Sequence, residues 1–142
     1  MIKKTGSARW QGGLREGGGH VSTGSGVLSD EPYGVAQRFE GGKGTNPEEL
    51  IGAAHASCYS MALSMILGQH DLTADSIETT AEVSLEQKDG GWAVTRSHLD
   101  VVARIPNASE DQFREAAEAA KANCPISKLL NAEITMDARL EG

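Results

Sequence analysis

Aromatic residues are scarce in this chain. Two each of Phe, Tyr and Trp make up 4% of its 142 residues, while glycine takes 17 positions. A core assembled mainly from Ala, Val, Leu, Ile and Met has little bulk to fill it. A one-domain chain of this size is also near the lower end for burying surface alone. Both facts favour burying further surface against a second copy. A basic excess is missing too: 13 Lys and Arg stand against 20 Asp and Glu, a formal net charge of -7. Without a Lys/Arg stripe the chain lacks the counter-charge that nucleic-acid phosphates or an anionic membrane surface demand.

No stretch reaches the roughly 18 unbroken apolar residues of a membrane span. The richest one, Leu50 to Leu67, is interrupted by His55, three serines and a glycine. Nor do the early lysines Lys3 and Lys4 lead into the apolar run of a signal peptide. The expected compartment is the cytoplasm. Standing structural disulfides are disfavoured there, so the two cysteines, Cys58 and Cys124, are expected to be either small buried hydrophobes or redox-active. Their spacing of 66 positions excludes a C-x-x-C redox or zinc arrangement. His20, His55, His70 and His98 lack metal-ligand spacing, and neither a metal nor a cofactor is expected. Gly41-Gly42-Lys43-Gly44-Thr45 suggests a phosphate loop, but a glycine separates Lys43 from Thr45 and breaks the required G-K-[ST] order.

What is present divides into two styles. Short alternating segments, Ala8–Trp10, His20–Thr23 and Tyr33–Glu40, are separated by glycine turns and predict strands. Thr45-Asn46-Pro47-Glu48-Glu49 then has the grammar of a helix start: Asn at the N-cap, Pro at the first helical position, acids in the first turn. The helix that follows, to about Gly68, is apolar on every side and is expected to be buried in the middle of the fold. Residues 77–87 and 92–105 predict a hairpin about Asp89-Gly90-Gly91. Within the second strand the apolar phase slips from Trp92 and Val94 to Leu99, Val101, Ala103 and Ile105, which predicts a bulge near Arg96. Ser109 with Gln112 forms a capping box for a helix ending near Asn123. Cys124-Pro125 opens a short helix to about Asn131, and Ile134, Met136, Ala138 and Leu140 alternate as a last strand. The expected class is α+β, one domain over residues 1–142, with antiparallel sheet packed on a buried central helix.

Local context separates the two sulfurs. Cys124 precedes Pro125 at a helix start, where free N–H groups favour a thiolate; Cys58 lies mid-helix, where burial raises the pKa. Helix context alone therefore names Cys124 as the nucleophile, and Cys58 needs a cation to compete. Arg38, on a predicted strand whose other face carries Tyr33, Val35 and Phe39, ordinarily points to solvent unless a partner covers that face. Arg96 is a weaker candidate. His55, three residues before Cys58, most simply reads as a satisfied core histidine. At about 100° per residue Glu48 lies roughly 80° from Cys58 around the helix axis, whereas Glu49 projects from the opposite side. Glu48 could orient an arginine over Cys58, or only complement the helix dipole; Glu49 suits the N3 position of a cap.

The run from Arg38-Phe39-Glu40 through Gly44-Thr45-Asn46-Pro47-Glu48-Glu49-Leu50-Ile51-Gly52-Ala53-Ala54-His55-Ala56-Ser57-Cys58 closely resembles the osmotically inducible protein C (OsmC) branch of the OsmC and organic hydroperoxide resistance family. The resemblance continues through Tyr59-Ser60-Met61-Ala62-Leu63-Ser64, returns at Cys124-Pro125-Ile126-Ser127 and at Asn131-Ala132-Glu133-Ile134-Thr135, and covers essentially the whole chain. Ser57 and Tyr59 depart from the usual Ala and Phe. The resemblance implies an intertwined homodimer with active sites at the subunit interface. It implies a thiol-dependent peroxidase reducing organic hydroperoxides, and hydrogen peroxide less readily. It makes Cys58 the peroxidatic and Cys124 the resolving cysteine, Arg38 the thiolate-stabilising arginine and Glu48 the acid that holds it. The implied reductant is a dithiol, with a lipoyl group on a partner protein one source. Other classes compatible with the residues are Cys58–His55 acyl transfer, which lacks evident oxyanion donors, and a redox-sensing or hydrophobic-ligand-binding dimer without turnover.

Overall fold

A computed structural model describes all 142 residues, which form two compact units, Met1–Leu50 and Ile51–Gly142. In the first, β1 (Gly6–Gln11), β2 (Gly18–Thr23) and β3 (Glu31–Tyr33) make an antiparallel meander. Trp10 and Tyr33 meet edge-to-face across it, with ring centroids 5.6 Å apart.

The expected strand Tyr33–Glu40 is corrected. Pairing stops at Tyr33, and Ala36–Glu40 coil into a single π-helical turn. The Arg38 amide donates to the Gly34 carbonyl, and Gly41, at φ +71°, closes the turn by donating to the Ala36 carbonyl. That left-handed conformation suits glycine. Asn46 Nδ2 donates to the Gln37 carbonyl at 2.9 Å and Gln37 Nε2 to the Lys43 carbonyl at 2.7 Å. Backbone groups a strand would leave to a neighbour are thus satisfied locally, and over so few residues an apolar alternation fits a coiled turn as well as a strand.

Helix α1 (Pro47–Gln69) begins at the end of the first unit and continues in the second. It stops at Gln69, one residue beyond Gly68. Asp71 adopts φ +57°, and the Leu72 amide donates to the Leu67 carbonyl at 2.9 Å while Asp71 donates to Gly68 at 3.2 Å. This is a Schellman arrangement, and its two apolar partners, Leu67 and Leu72, are both buried.

In the second unit β4 (Ser76–Lys88) and β5 (Gly91–Arg104) form the expected hairpin. Its two-residue loop, Asp89-Gly90, has positive φ at both positions, the geometry of a type I′ turn. The register shifts between Ser84 and Leu85, where Ser84 pairs Arg96 and Leu85 pairs Val94, so Thr95 is the extra residue of the anticipated bulge. Beyond it Ser97, Leu99, Val101 and Ala103 all point inward and are fully buried.

α2 (Glu110–Asn123) starts on the anticipated Ser109–Gln112 capping box and buries Phe113, Ala116, Ala117 and Ala120. After the one-turn helix α3 (Pro125–Leu129), β6 (Glu133–Glu141) pairs with β5 in parallel, not antiparallel as the expectation had it. The crossover through α2 and α3 returns the chain to the end of the sheet where β5 began, and a helical crossover imposes that direction. The second sheet is therefore mixed, in the order β4-β5-β6.

The core of this unit joins Tyr59, Leu63 and Leu67 of α1, the inward residues of β5, the buried face of α2, and Cys124. Gly52 suits the close approach of α1 to the sheet: a Cβ there would lie 3.0 Å from the Ala81 carbonyl oxygen of β4. The all-round burial expected for α1 is not what the single chain shows. Gly52, His55, Tyr59, Leu63 and Leu67 are buried, but Met61 and Met65 on the far side are 74% and 62% exposed. One chain supplies packing for one side only. α1 is long and apolar enough to cross a membrane, yet the core helix of a globular domain has the same properties, and here its inner face is tied to sheet and helices.

Candidate active site

The first unit builds an oriented cation. Asn46 Oδ1 accepts the Glu49 amide at 2.8 Å, capping α1, and the Glu49 carboxylate accepts from the Thr45 hydroxyl at 2.8 Å. Glu49 therefore belongs to the cap, as its position predicted. Glu48, nearly buried, turns to the π-helical turn instead. Arg38 Nε donates to its Oε1 at 2.9 Å and an Arg38 terminal nitrogen to its Oε2 at 2.8 Å. This two-pronged pair fixes the plane of the guanidinium. Those hydrogen bonds push the Arg38 pKa further up, against a smaller opposing effect of burial. The Phe39 ring lies 5.8 Å from the guanidinium carbon. Arg38 is thus held, where a strand arginine would have pointed to solvent. Arg96 pairs with Glu133 at 3.7 Å, largely in solvent.

The second unit brings the two sulfurs together. Cys58 sits half-buried on the margin of α1, between the core stripe of His55 and Tyr59 and the open side with Met61 and Met65. Cys124 is fully buried at the junction of α2 and α3, where its own amide closes α2 on the Ala120 carbonyl. The Cys58 sulfur lies near enough to the Cys124 side chain and the Ile126 amide for both to act on its titration. Burial pushes the Cys58 thiol above its ordinary 9.0 and the neighbouring Cys124 adds to that, while the Ile126 N–H, which favours the anion, works the other way. Both thiols are free. Access also separates them: a solute reaches the half-open Cys58, not the sealed Cys124.

His55 is the satisfied core histidine its context suggested. Its Nδ1 pairs with Ser97 Oγ of β5 and its Nε2 with Ser127 Oγ of α3, each at 2.7 Å, and burial lowers its pKa, keeping the ring neutral. Sealed in this way, it is not available as a base for Cys58 in acyl transfer. The Tyr59 hydroxyl, a departure from the usual Phe, donates to the Ala117 carbonyl of α2 at 3.2 Å. Sequence reasoning did not find Ser97, Ser127 or the Ile126 amide. Ser97 carried a signal: it is the polar member of the inward phase of β5, and a buried histidine needs such partners.

Residues 40–139 match the model of a family described as OsmC-like protein. The chain is 52% identical over 140 residues to the peroxiredoxin OsmC of Escherichia coli, covering 99% of this chain and 98% of that protein. It is 30% identical over 125 residues to the organic hydroperoxide resistance protein OhrB of Bacillus subtilis, covering 87% and 88% respectively. The crystal structure of that OhrB superposes with a TM-score of 0.72 over 99% of this chain and 98% of the other, at 28% identity. An organic hydroperoxide resistance protein from Elizabethkingia anophelis shares the fold, with a TM-score of 0.74 at 23% identity over 100% of this chain and 97% of that one. Fold, sequence and the α1 motif agree, and the chain belongs to the OsmC-like protein family.

Proposed function

We propose that this protein is a thiol-dependent peroxidase that reduces organic hydroperoxides, and hydrogen peroxide less readily, with Cys58 as the peroxidatic and Cys124 as the resolving cysteine. The observation that carries this reading is the proximity of the two free thiols, one half-open and one sealed. Family membership and the names of its peroxiredoxin and hydroperoxide-resistance relatives support it.

The cycle follows from these groups. Burial alone leaves Cys58 protonated, so it needs a cation; the reading assigns that role to Arg38, with Glu48 holding it. The Cys58 thiolate attacks the distal peroxide oxygen. The S–O bond forms as the O–O bond breaks, leaving Cys58 sulfenic acid and an alkoxide that takes a proton to depart as the alcohol. A guanidinium at the peroxide would stabilise that alkoxide. The Cys124 thiol then displaces hydroxide from the Cys58 sulfur, releasing water and forming a Cys58–Cys124 disulfide. An external dithiol reopens it by exchange, a lipoyl group on a partner protein being one such source.

The working form in this reading is a cytoplasmic homodimer. Its support is the family resemblance and the exposed Met61 and Met65 on α1. The same apolar side chains beside Cys58 suit an alkyl hydroperoxide better than hydrogen peroxide. The test is consumption of cumene hydroperoxide with dithiothreitol: the peroxidase removes it catalytically, whereas a hydrolase or a ligand-binding dimer leaves it untouched.

A further inference from the structure

We propose that His55 is a positioning residue, a two-ended strut that holds the first turn of α3, and with it Cys124 and the Ile126 amide, in place against Cys58. The proposal rests on the disulfide cycle above and extends it to the step that closes the bridge.

The geometry supporting it lies outside the sulfur chemistry. His55 and Ser97 are completely buried and Ser127 is 8% exposed, so the Ser97–His55–Ser127 chain runs through the interior with both ring nitrogens occupied at 2.7 Å. A leucine would fill an interior helix position without the cost of burying an imidazole. His55 is one turn before Cys58 on α1, while Ser127 is next to Ile126 and three residues after Cys124. The hydrogen bond between them therefore spans the two elements that must approach for a disulfide. α3 has only five residues and cannot hold its place by its own ladder. Either tautomer of a neutral imidazole serves, because each serine hydroxyl can donate or accept.

Its consequence is kinetic. After the first oxidation Cys58 carries a sulfenic acid, and condensation with the Cys124 thiol releases water and makes the S–S bond. That step depends on the placement of the Cys124 sulfur, whereas attack of Cys58 on the peroxide loses at most the Ile126 N–H that favours its anion. Freeing α3 from α1 therefore slows bridge closure selectively and lets a second peroxide reach the sulfenic acid first.

The experiment compares Ser127→Ala, which cuts the link to α3, with Ser97→Ala, which cuts the link to β5. Each removes one hydroxyl bonded to the same ring, and loss of stability by thermal melt is expected to be similar. Bridge closure is followed by mass spectrometry after one equivalent of cumene hydroperoxide, with dimedone trapping the sulfenic acid, and in parallel after diamide, which oxidises a dithiol without peroxidase chemistry. Ser127→Ala is expected to close the bridge at least about ten-fold more slowly with either oxidant, with first oxidation of Cys58 within about two-fold of wild type. Its α3 amides should exchange with solvent faster than those of Ser97→Ala, and Ser127→Thr should restore closure. Closure at the wild-type rate in Ser127→Ala, or equal slowing in both alanine variants, overturns the strut. A wild type that closes the bridge with diamide but ignores the hydroperoxide overturns the peroxidase reading and leaves the strut comparison intact.

Discussion

Cys124, with no exposed surface, lies near enough to Cys58, 66 positions earlier in the chain, to raise the pKa of its thiol. One sulfur is partly open and the other sealed. That asymmetry supports the proposed order of their chemistry. Cys58→Ser is expected to abolish peroxide consumption. Cys124→Ser is expected to consume about one equivalent and then stall, with Cys58 trapped as sulfenic acid or oxidised further. Stopped-flow peroxide consumption with dimedone labelling distinguishes these; an equal loss of the first step in both variants contradicts the roles.

The grip of Glu48 on Arg38 matters if that guanidinium activates Cys58. Burial holds the Cys58 thiol high, so losing a cation that offset burial would raise it further. Arg38→Ala is expected to shift the pH profile of iodoacetamide alkylation at Cys58 upward by at least about one unit, equivalent to about ten-fold less thiolate near neutrality. Glu48→Gln keeps one acceptor and is expected to shift it less. An unchanged profile in Arg38→Ala removes this arginine from the mechanism.

His55 gives stability its own pH dependence. Its folded pKa lies below the ordinary 6.5 because burial disfavours the cation, so the unfolded chain binds the extra proton first. This contribution is complete above about pH 6.5 and is lost as pH falls from there towards the depressed folded value, with a slope approaching about 1.4 kcal/mol per pH unit. Urea unfolding midpoints between pH 5 and 7 should fall with pH in wild type and fall less steeply in His55→Gln.

The open side of α1 makes the proposed dimer testable without touching the sulfurs. Met61 is 74% exposed in the single chain, so Met61→Asp should fold with unchanged far-ultraviolet circular dichroism. In a dimer that covers this side it buries a charge, and sedimentation should show association weakened by at least about 2 kcal/mol. A variant that sediments like wild type places the interface elsewhere.

Elements with their own local grammar were legible in the sequence: the Asn46-Pro47 start, the Ser109–Gln112 box, the Asp89-Gly90 turn, and the bulge betrayed by the slip from Val94 to Leu99. What was misread depends on distant partners. Tyr33–Glu40 alternates like a strand, but the Gln37 carbonyl accepts from Asn46 Nδ2 and the Gln37 side-chain amide donates to the Lys43 carbonyl, which leaves a turn. The parallel course of β6 is set by the crossover, and alternation in β6 itself carries no direction. Helix-start logic favours Cys124 as the nucleophile; the sealing of Cys124 and the influence of the Ile126 N–H on Cys58, which support the proposed opposite assignment, required the fold. The Arg38–Glu48 pair followed from the resemblance and from the angle of Glu48 on α1; the serines that clamp His55 required the fold.

The most direct test of the disulfide cycle is thiol titration after one equivalent of cumene hydroperoxide, with peptide mapping of the product. The account predicts loss of two thiols per chain, recovered as an intrachain Cys58–Cys124 disulfide that dithiothreitol reopens. Two thiols remaining with the peroxide intact, or a stable oxidised Cys58 beside a free Cys124, would contradict it.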